Sequence, residues 1–113
     1  MIASYPDRHF QVWEFHVSHG CLLVRSPRKP SIATNIDIVF AGVEFMSLPR
    51  HLKGVDFAKA TPVDIQWIVQ ALGRDIPPDQ AFVLISEGTR HPVVASGYDV
   101  SENEADIFDS RLT

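Results

Sequence analysis

Apolar and polar residues alternate along much of the chain, and the alternation is broken at a few turn-forming positions. The clearest reversal lies in Phe10–Val24, FQVWEFHVSHGCLLV, which reads as two strands joined by Ser18-His19-Gly20. Gly20 can supply the positive φ that such a turn requires. In the first strand Trp13, Phe15 and Val17 share one face, and Phe10, Val12, Glu14 and His16 share the other. Because Glu14 and His16 belong to the second set, the Trp13/Phe15/Val17 face is the expected core side. Cys21–Arg25 returns as the second strand, and the two prolines of Ser26-Pro27-Arg28-Lys29-Pro30-Ser31 end it.

Asn35–Leu48 predicts a long third strand, or two strands with a short break. Ile36, Ile38 and Phe40 have one parity and Val43 and Phe45 the other, so a bulge at Ala41/Gly42 would return both groups to one face and turn Asp37 and Glu44 away from it. A tight hairpin at the same glycine is the competing reading. Pro49–Gly54 resembles a crossing loop, with Val55 and Phe57 as anchors to the core. A sharp helix start follows: Thr61 as N-cap, Pro62 at the first helical position and Asp64 at N3. Asp is shorter than the Glu or Gln of the usual capping box. Ile65, Ile68, Val69 and Leu72 fall on one helical face, with Trp67 and Ala71 on its shoulder, and Gly73 is the natural C′ residue.

Pro77-Pro78 forbids continuation of that helix. Ala81–Ser86 predicts a central strand and Pro92–Tyr98 its hairpin partner across Glu87-Gly88-Thr89-Arg90. Beyond Tyr98 the chain turns acidic. Ser101-Glu102-Asn103-Glu104 has capping-box spacing, so Ile107, Phe108 and Leu112 would form the apolar side of a short C-terminal helix, with an acidic tail as the alternative. The expected fold class is therefore α+β. It comprises a mainly antiparallel sheet of about five strands, one principal helix packed on its Trp13/Phe15/Ile38 face, and that short terminal helix.

A chain of 113 residues is the size of one domain, expected here over 1–113, with 1–9 and 99–113 as the segments open to flexibility. Seven phenylalanines and two tryptophans supply bulky core material. Net charge is −4, which argues against a general duplex-DNA binder. The charge is uneven: residues 1–60 carry +2 and residues 61–113 carry −6. A single cysteine, Cys21, allows no intrachain disulfide and suits a reducing compartment. The first residues lack an apolar secretory core, and no apolar run approaches membrane-spanning length, so a cytoplasmic location without membrane insertion is expected.

Candidate chemistry is sparse. His16, His19 and Cys21 form H-x-x-H-x-C, the one close set of metal-ligand types, but a structural zinc site wants four protein ligands and the spacing does not by itself aim three inward. A thiolate nucleophile would pair Cys21 with His19, His51 or His91, oriented by Asp37 or Glu44. Asp37 and Glu44 could alternatively act as a carboxylate pair, if their environments differed. No dinucleotide, phosphate-loop, metalloprotease or nucleophile-elbow motif is present, and no cofactor is expected. Arg25, Arg28 and Lys29 lie in one basic segment and Arg50, His51 and Lys53 in another, which would hold an anion if the two met.

The leading expectation is a small interaction or assembly domain, self-associating or bound to another protein, with Phe10, Val12, Val24, Ile107 and Phe108 as interface anchors. A pocket gathering at least two of His16, Asp37, Glu44, His51 and His91 would favour an enzyme or ligand-binding domain instead. An anionic ligand on the basic loops is a third class, with nucleic acid the least favoured occupant.

Overall fold

The computed structural model describes residues 1–106 and 112. Their regular structure comprises β1 (Ala3–His16), β2 (Cys21–Ser26), β3 (Asn35–Ala41), β4 (Phe45–Met46), β5 (His51–Lys59), α1 (Pro62–Leu72), a 3₁₀ turn at Pro78–Gln80, β6 (Ala81–Ser86), β7 (Thr89–Val94) and β8 (Gly97–Asn103). The eight strands form one sheet in the order β4-β7-β6-β5-β1-β2-β3-β8, and every pairing is antiparallel.

The two ends of that order meet. β3 and β4 are successive parts of one run, as are β7 and β8; β3 pairs with β8 and β4 with β7. Between these ladders the chain stays bonded, through Glu44 N–H to the Val94 carbonyl (2.9 Å) and Ser96 N–H to the Ala41 carbonyl (2.9 Å). The sheet thus rolls into a closed barrel, the arrangement that removes exposed strand edges along the seam. Ring contacts across the interior agree. Phe40 on β3 lies 5.5 Å from Phe57 on β5, two strands further along the sheet than direct neighbours, and Tyr98 on β8 lies 5.2 Å from Phe82 on β6.

The interior holds Phe10, Leu22, Val24, Ile38, Phe40, Leu52, Phe57, Phe82 and Leu84 among others, all essentially inaccessible. Two bulges set which residues reach it. Trp13 is the extra residue between the pairs Val12↔Val24 and Glu14↔Leu23. Before it Phe10 and Val12 face inward; after it Phe15, opposite the interior Leu22, takes the inward parity at the barrel mouth. A one-residue shift of this kind exchanges the two faces of a strand. The expected Trp13/Phe15/Val17 core face is therefore corrected: Trp13 lies outside, and Val17 is 84% exposed in the turn.

The second bulge spans Pro6–Arg8 opposite Gly54, between the pairs Tyr5↔Val55 and His9↔Lys53. Pro6 needs no ladder donor there, which is why β1 begins at Ala3, within the 1–9 segment expected to be open to flexibility. Gly54 has φ 67°, and a Cβ at that position would lie 2.7 Å from the Pro6 carbonyl oxygen.

The α+β expectation of about five strands is overturned by this eight-stranded sheet with a single α-helix among the described residues. Pro49–Gly54, read as a crossing loop, runs from His51 onward into the nine-residue β5. The segment read as acidic tail or helix start is β8 as far as Asn103, and the capping-box serine Ser101 is paired with Asp37 instead. The proposed terminal helix and its Ile107 and Phe108 lie outside the described residues. At Gly42 (φ 62°) the run from β3 to β4 is interrupted but keeps its direction, so it is not a tight hairpin. Val43 packs against the interior, whereas Phe45 joins the outer cluster, so the two groups do not return to one face as the bulge reading expects.

The helix is also placed differently. Its bounds, N-cap and C′ glycine are those the sequence predicts. Yet its apolar face packs on the outside of the barrel, where Ile68, Ile65, Val69 and Leu72 meet Phe45, Ile76, Ala81 and Val94, a cluster separate from the interior. The greasy side of the sheet is closed by the sheet itself. No helix is needed there.

Candidate functional site

An apolar groove of about 380 Å³ lies between α1 and β7. Val83 and Pro92, both buried, form its floor, and Val63 and Trp67 form the helical wall. These two helix residues are four apart, so they sit on adjacent turns of the same side. They are 74% and 51% exposed, although α1 already buries a complete apolar face against the barrel. Trp67 is braced by Phe45, with ring centroids 6.2 Å apart.

The rim of the groove is held by charge. Arg90 Nε and Nη2 donate to Asp64 Oδ1 and Oδ2, each at 2.8 Å, a bidentate clamp that ties the start of α1 to β7. Asp64 has a second task. Its Oδ2 accepts from the Thr61 N–H (2.8 Å), while its own N–H donates to Thr61 Oγ1 (3.3 Å), completing the capping box in spite of the short side chain. The Arg90 guanidinium beside it, assisted by the Thr61 donors, holds the Asp64 carboxyl at about 2, below its ordinary 3.8. His91 also lines the groove, and its partial burial pushes the imidazole pKa down, favouring the neutral ring. A rim of this kind can donate and accept hydrogen bonds around an apolar floor.

A second, more polar cleft of about 390 Å³ opens over β1 and β5, and Asp7, His9, Gln11, Ser26, Lys29 and His51 line it. His9 Nε2 and His51 Nδ1 are 3.2 Å apart, and the rings meet edge to face. The turn Lys29–Ile32, closed by a pair of backbone hydrogen bonds, carries Lys29 to this cleft.

The basic residues picked out in the sequence are dispersed by the fold. Lys29 and His51 share the cleft, Arg28 faces a separate depression with Asp106, Lys53 lies beside Pro6 and Gly54, and Arg50 is exposed outside these clefts. Arg25 is fully buried on the outer side of β2, where Nε and Nη2 donate to Asp37 at 2.7 and 3.0 Å. Asn103 Nδ2 donates to the same carboxylate (2.8 Å), and the Trp13 ring lies over the guanidinium, 5.3 Å from centroid to Cζ. Asp37, expected to face solvent, is thus enclosed as the counterion of Arg25. The pattern did assign it to the outward face, but an outward face of this barrel is not always a wet one.

The five polar residues considered for an enzymatic pocket go to five places. His16 is bonded to Glu14 (2.6 Å), Asp37 to Arg25, Glu44 to Arg74 (2.6 Å) and His51 to His9, while His91 lies in the α1–β7 groove. Cys21 Sγ is directed to the His19 carbonyl at 3.8 Å. Among the described residues no three His, Cys, Asp or Glu side chains are grouped to hold a metal, so His16, His19 and Cys21 are not drawn together as ligands.

Of the interface candidates, Phe10 and Val24 are fully buried in the barrel, Val12 is partly buried against it, and Ile107 and Phe108 are outside the described residues. Sequence reasoning placed Trp67 on the helix shoulder and assigned it no role. The usable signal was Val63 and Trp67 at i, i+4 beside the buried face. Compared with protein-family models, curated proteins and solved structures, the chain matches none.

Proposed function

We propose that this chain is a non-catalytic protein-interaction domain that receives an apolar side chain of another protein in the groove between α1 and β7. The observation that carries the reading is the exposure of Trp67 and Val63 on a helix that has already satisfied its packing. Interface hot spots are enriched in Trp and Arg and are surrounded by groups that exclude water. Trp67 over a Val83/Pro92 floor, beside the fixed Arg90–Asp64 clamp, has that composition. A segment of a different protein is favoured over a second copy. Among the described residues the other exposed large apolar residues are Met1, Phe15, Val17, Met46 and Tyr98; they are spread over the N-terminus, the β1–β2 turn region, β4 and β8, and none of them lines the groove. They give no single face of the roughly 800 Å² per partner that a stable interface buries. A lone cysteine suits a reducing setting such as the cytoplasm.

Random peptides displayed on phage and selected against the full chain test the reading. Selected peptides should carry an aromatic or branched apolar residue and shift the Trp67 indole resonance. Trp67→Ala should weaken their binding by about 2 kcal/mol, near thirtyfold, while leaving the circular dichroism spectrum unchanged. Peptides that bind the Trp67→Ala variant as tightly as the parent would overturn the groove as the docking site. Concentration-dependent dimerisation abolished by the same variant would instead identify a second copy as the occupant and reject the choice of a different protein.

A further inference from the structure

The polar cleft over β1 and β5 holds an arrangement that the interaction reading does not use. His9 and His51 lie diagonally across the β1–β5 ladder, and the pair between them, Phe10↔Leu52, points into the barrel. With those two neighbours locked in the interior, the imidazoles are forced to the outer face from two fixed backbone positions. Both are exposed, and Nε2 of His9 approaches Nδ1 of His51 to 3.2 Å.

That separation has a chemical meaning. Two imidazole nitrogens bound to one tetrahedral Zn²⁺ at roughly 2.0–2.1 Å are about 3.3–3.4 Å apart, the edge of the coordination tetrahedron. Without metal, one nitrogen must carry the proton and the other accept it. With metal, the donor ring changes to its other neutral tautomer, both lone pairs face the ion, and no proton need leave the protein. Neutral imidazole is a common ligand for zinc, copper and nickel.

We propose that His9 and His51 form a two-imidazole binding site for a late first-row divalent cation, with the remaining coordination positions taken by water or by a donor from another molecule. Asp7 and Gln11 line the same cleft and offer oxygens to the ion's water ligands; Lys29 lines it too, and its charge weakens the site. Two protein ligands make the site open and exchangeable, unlike the closed sites that support a fold. The site is independent of the α1–β7 groove.

Titration of the full chain with Zn²⁺ or Ni²⁺ alone, followed by calorimetry and by the histidine ring resonances, tests it. One ion should bind per chain, with His9 and His51 resonances moving together and Mg²⁺ producing no change. His9→Ala and His51→Ala should each lower the affinity by more than the roughly 10–100-fold that follows loss of an outer-shell partner. A His16→Asn/His19→Asn/Cys21→Ser variant, which leaves the cleft intact, should bind like the parent. Lys29→Gln should bind more tightly. The proposal is overturned if no saturable 1:1 binding is found, or if His9→Ala and His51→Ala bind as the parent does. It is equally overturned if the triple variant is the one that loses the ion.

Discussion

Arg25 and Asp37 show how much a single residue's surroundings can depart from its place in a pattern. Both are charged, both project from the outer side of the sheet, and both are fully buried. Removing two ions from water is costly, and the bidentate contact, the Asn103 donor and the Trp13 ring offset only part of that cost. Arg25 Nη1 has no hydrogen-bond partner among the described residues. Such a pair adds little net stability, but losing one member leaves an uncompensated charge. Asp37→Ala should therefore cost about 3–5 kcal/mol in denaturant unfolding. The double variant Arg25→Met/Asp37→Leu should recover most of that loss, because no ion then remains buried, although Asn103 gives up an acceptor worth about 1 kcal/mol. A single Asp37→Ala variant as stable as the parent would show that the pair is not enclosed.

At the scale of the element, α1 is the part most legible in the chain, since its cap, proline, apolar spacing and terminal glycine are all local signals. The long strand β1 is the opposite case. Its alternation was readable, but the faces depended on bulges at Pro6–Arg8 and Trp13, and a bulge is defined by the partner strand as much as by the bulged residue. β5 was hidden for a related reason: Gly54 looks like a loop residue until Pro6 lies against it. For the groove, Trp67 was visible, but Arg90 and His91 reach it only because β7 runs beside the start of α1.

That last contact makes the helix sensitive to acid in a predictable direction. Asp64 titrates at about 2 when folded and near 3.8 when unfolded, so its contribution is fully present above about pH 4 and is lost as pH falls toward 2. Arg90 is 42% exposed, and solvent screening reduces the contribution to about 1 kcal/mol. His91 adds a loss of the same sign at higher pH, because burial resists its protonation once the pH drops below the ordinary histidine range. Arg90→Met should return the Asp64 carboxyl toward its ordinary value in an NMR titration and flatten the stability profile between pH 4 and 2. It should leave the Thr61 cap, and hence the helix, in place. An unchanged Asp64 titration in this variant would show that the clamp does not set it.

For the whole molecule, closure of the sheet decides what surface is left for function. An open eight-stranded sheet would present β4 and β8 as edges and leave one broad face to be covered by a partner. The closed form turns that face into the interior and leaves the helix groove and the histidine cleft as outward features. The seam is the test. Glu44, Ser47 and Ser96 donate their backbone N–H groups across it, to Val94, Pro92 and Ala41. If the barrel is one cooperative unit, these amides should exchange with solvent only at the rate set by global opening, like those of β5 and β6. Gly42 is the point at which the seam can be opened selectively, since its φ of 62° is the left-handed region and a Cβ there would strike the Ser96 side chain. Gly42→Val should destabilise the fold by about 2 kcal/mol or more, with protection at Ser96 and Glu44 falling before that at Phe57 or Leu84. Seam amides that already exchange far faster than the β5–β6 ladder in the parent chain would mean that the sheet is open there, and that its apolar face is available to a partner after all.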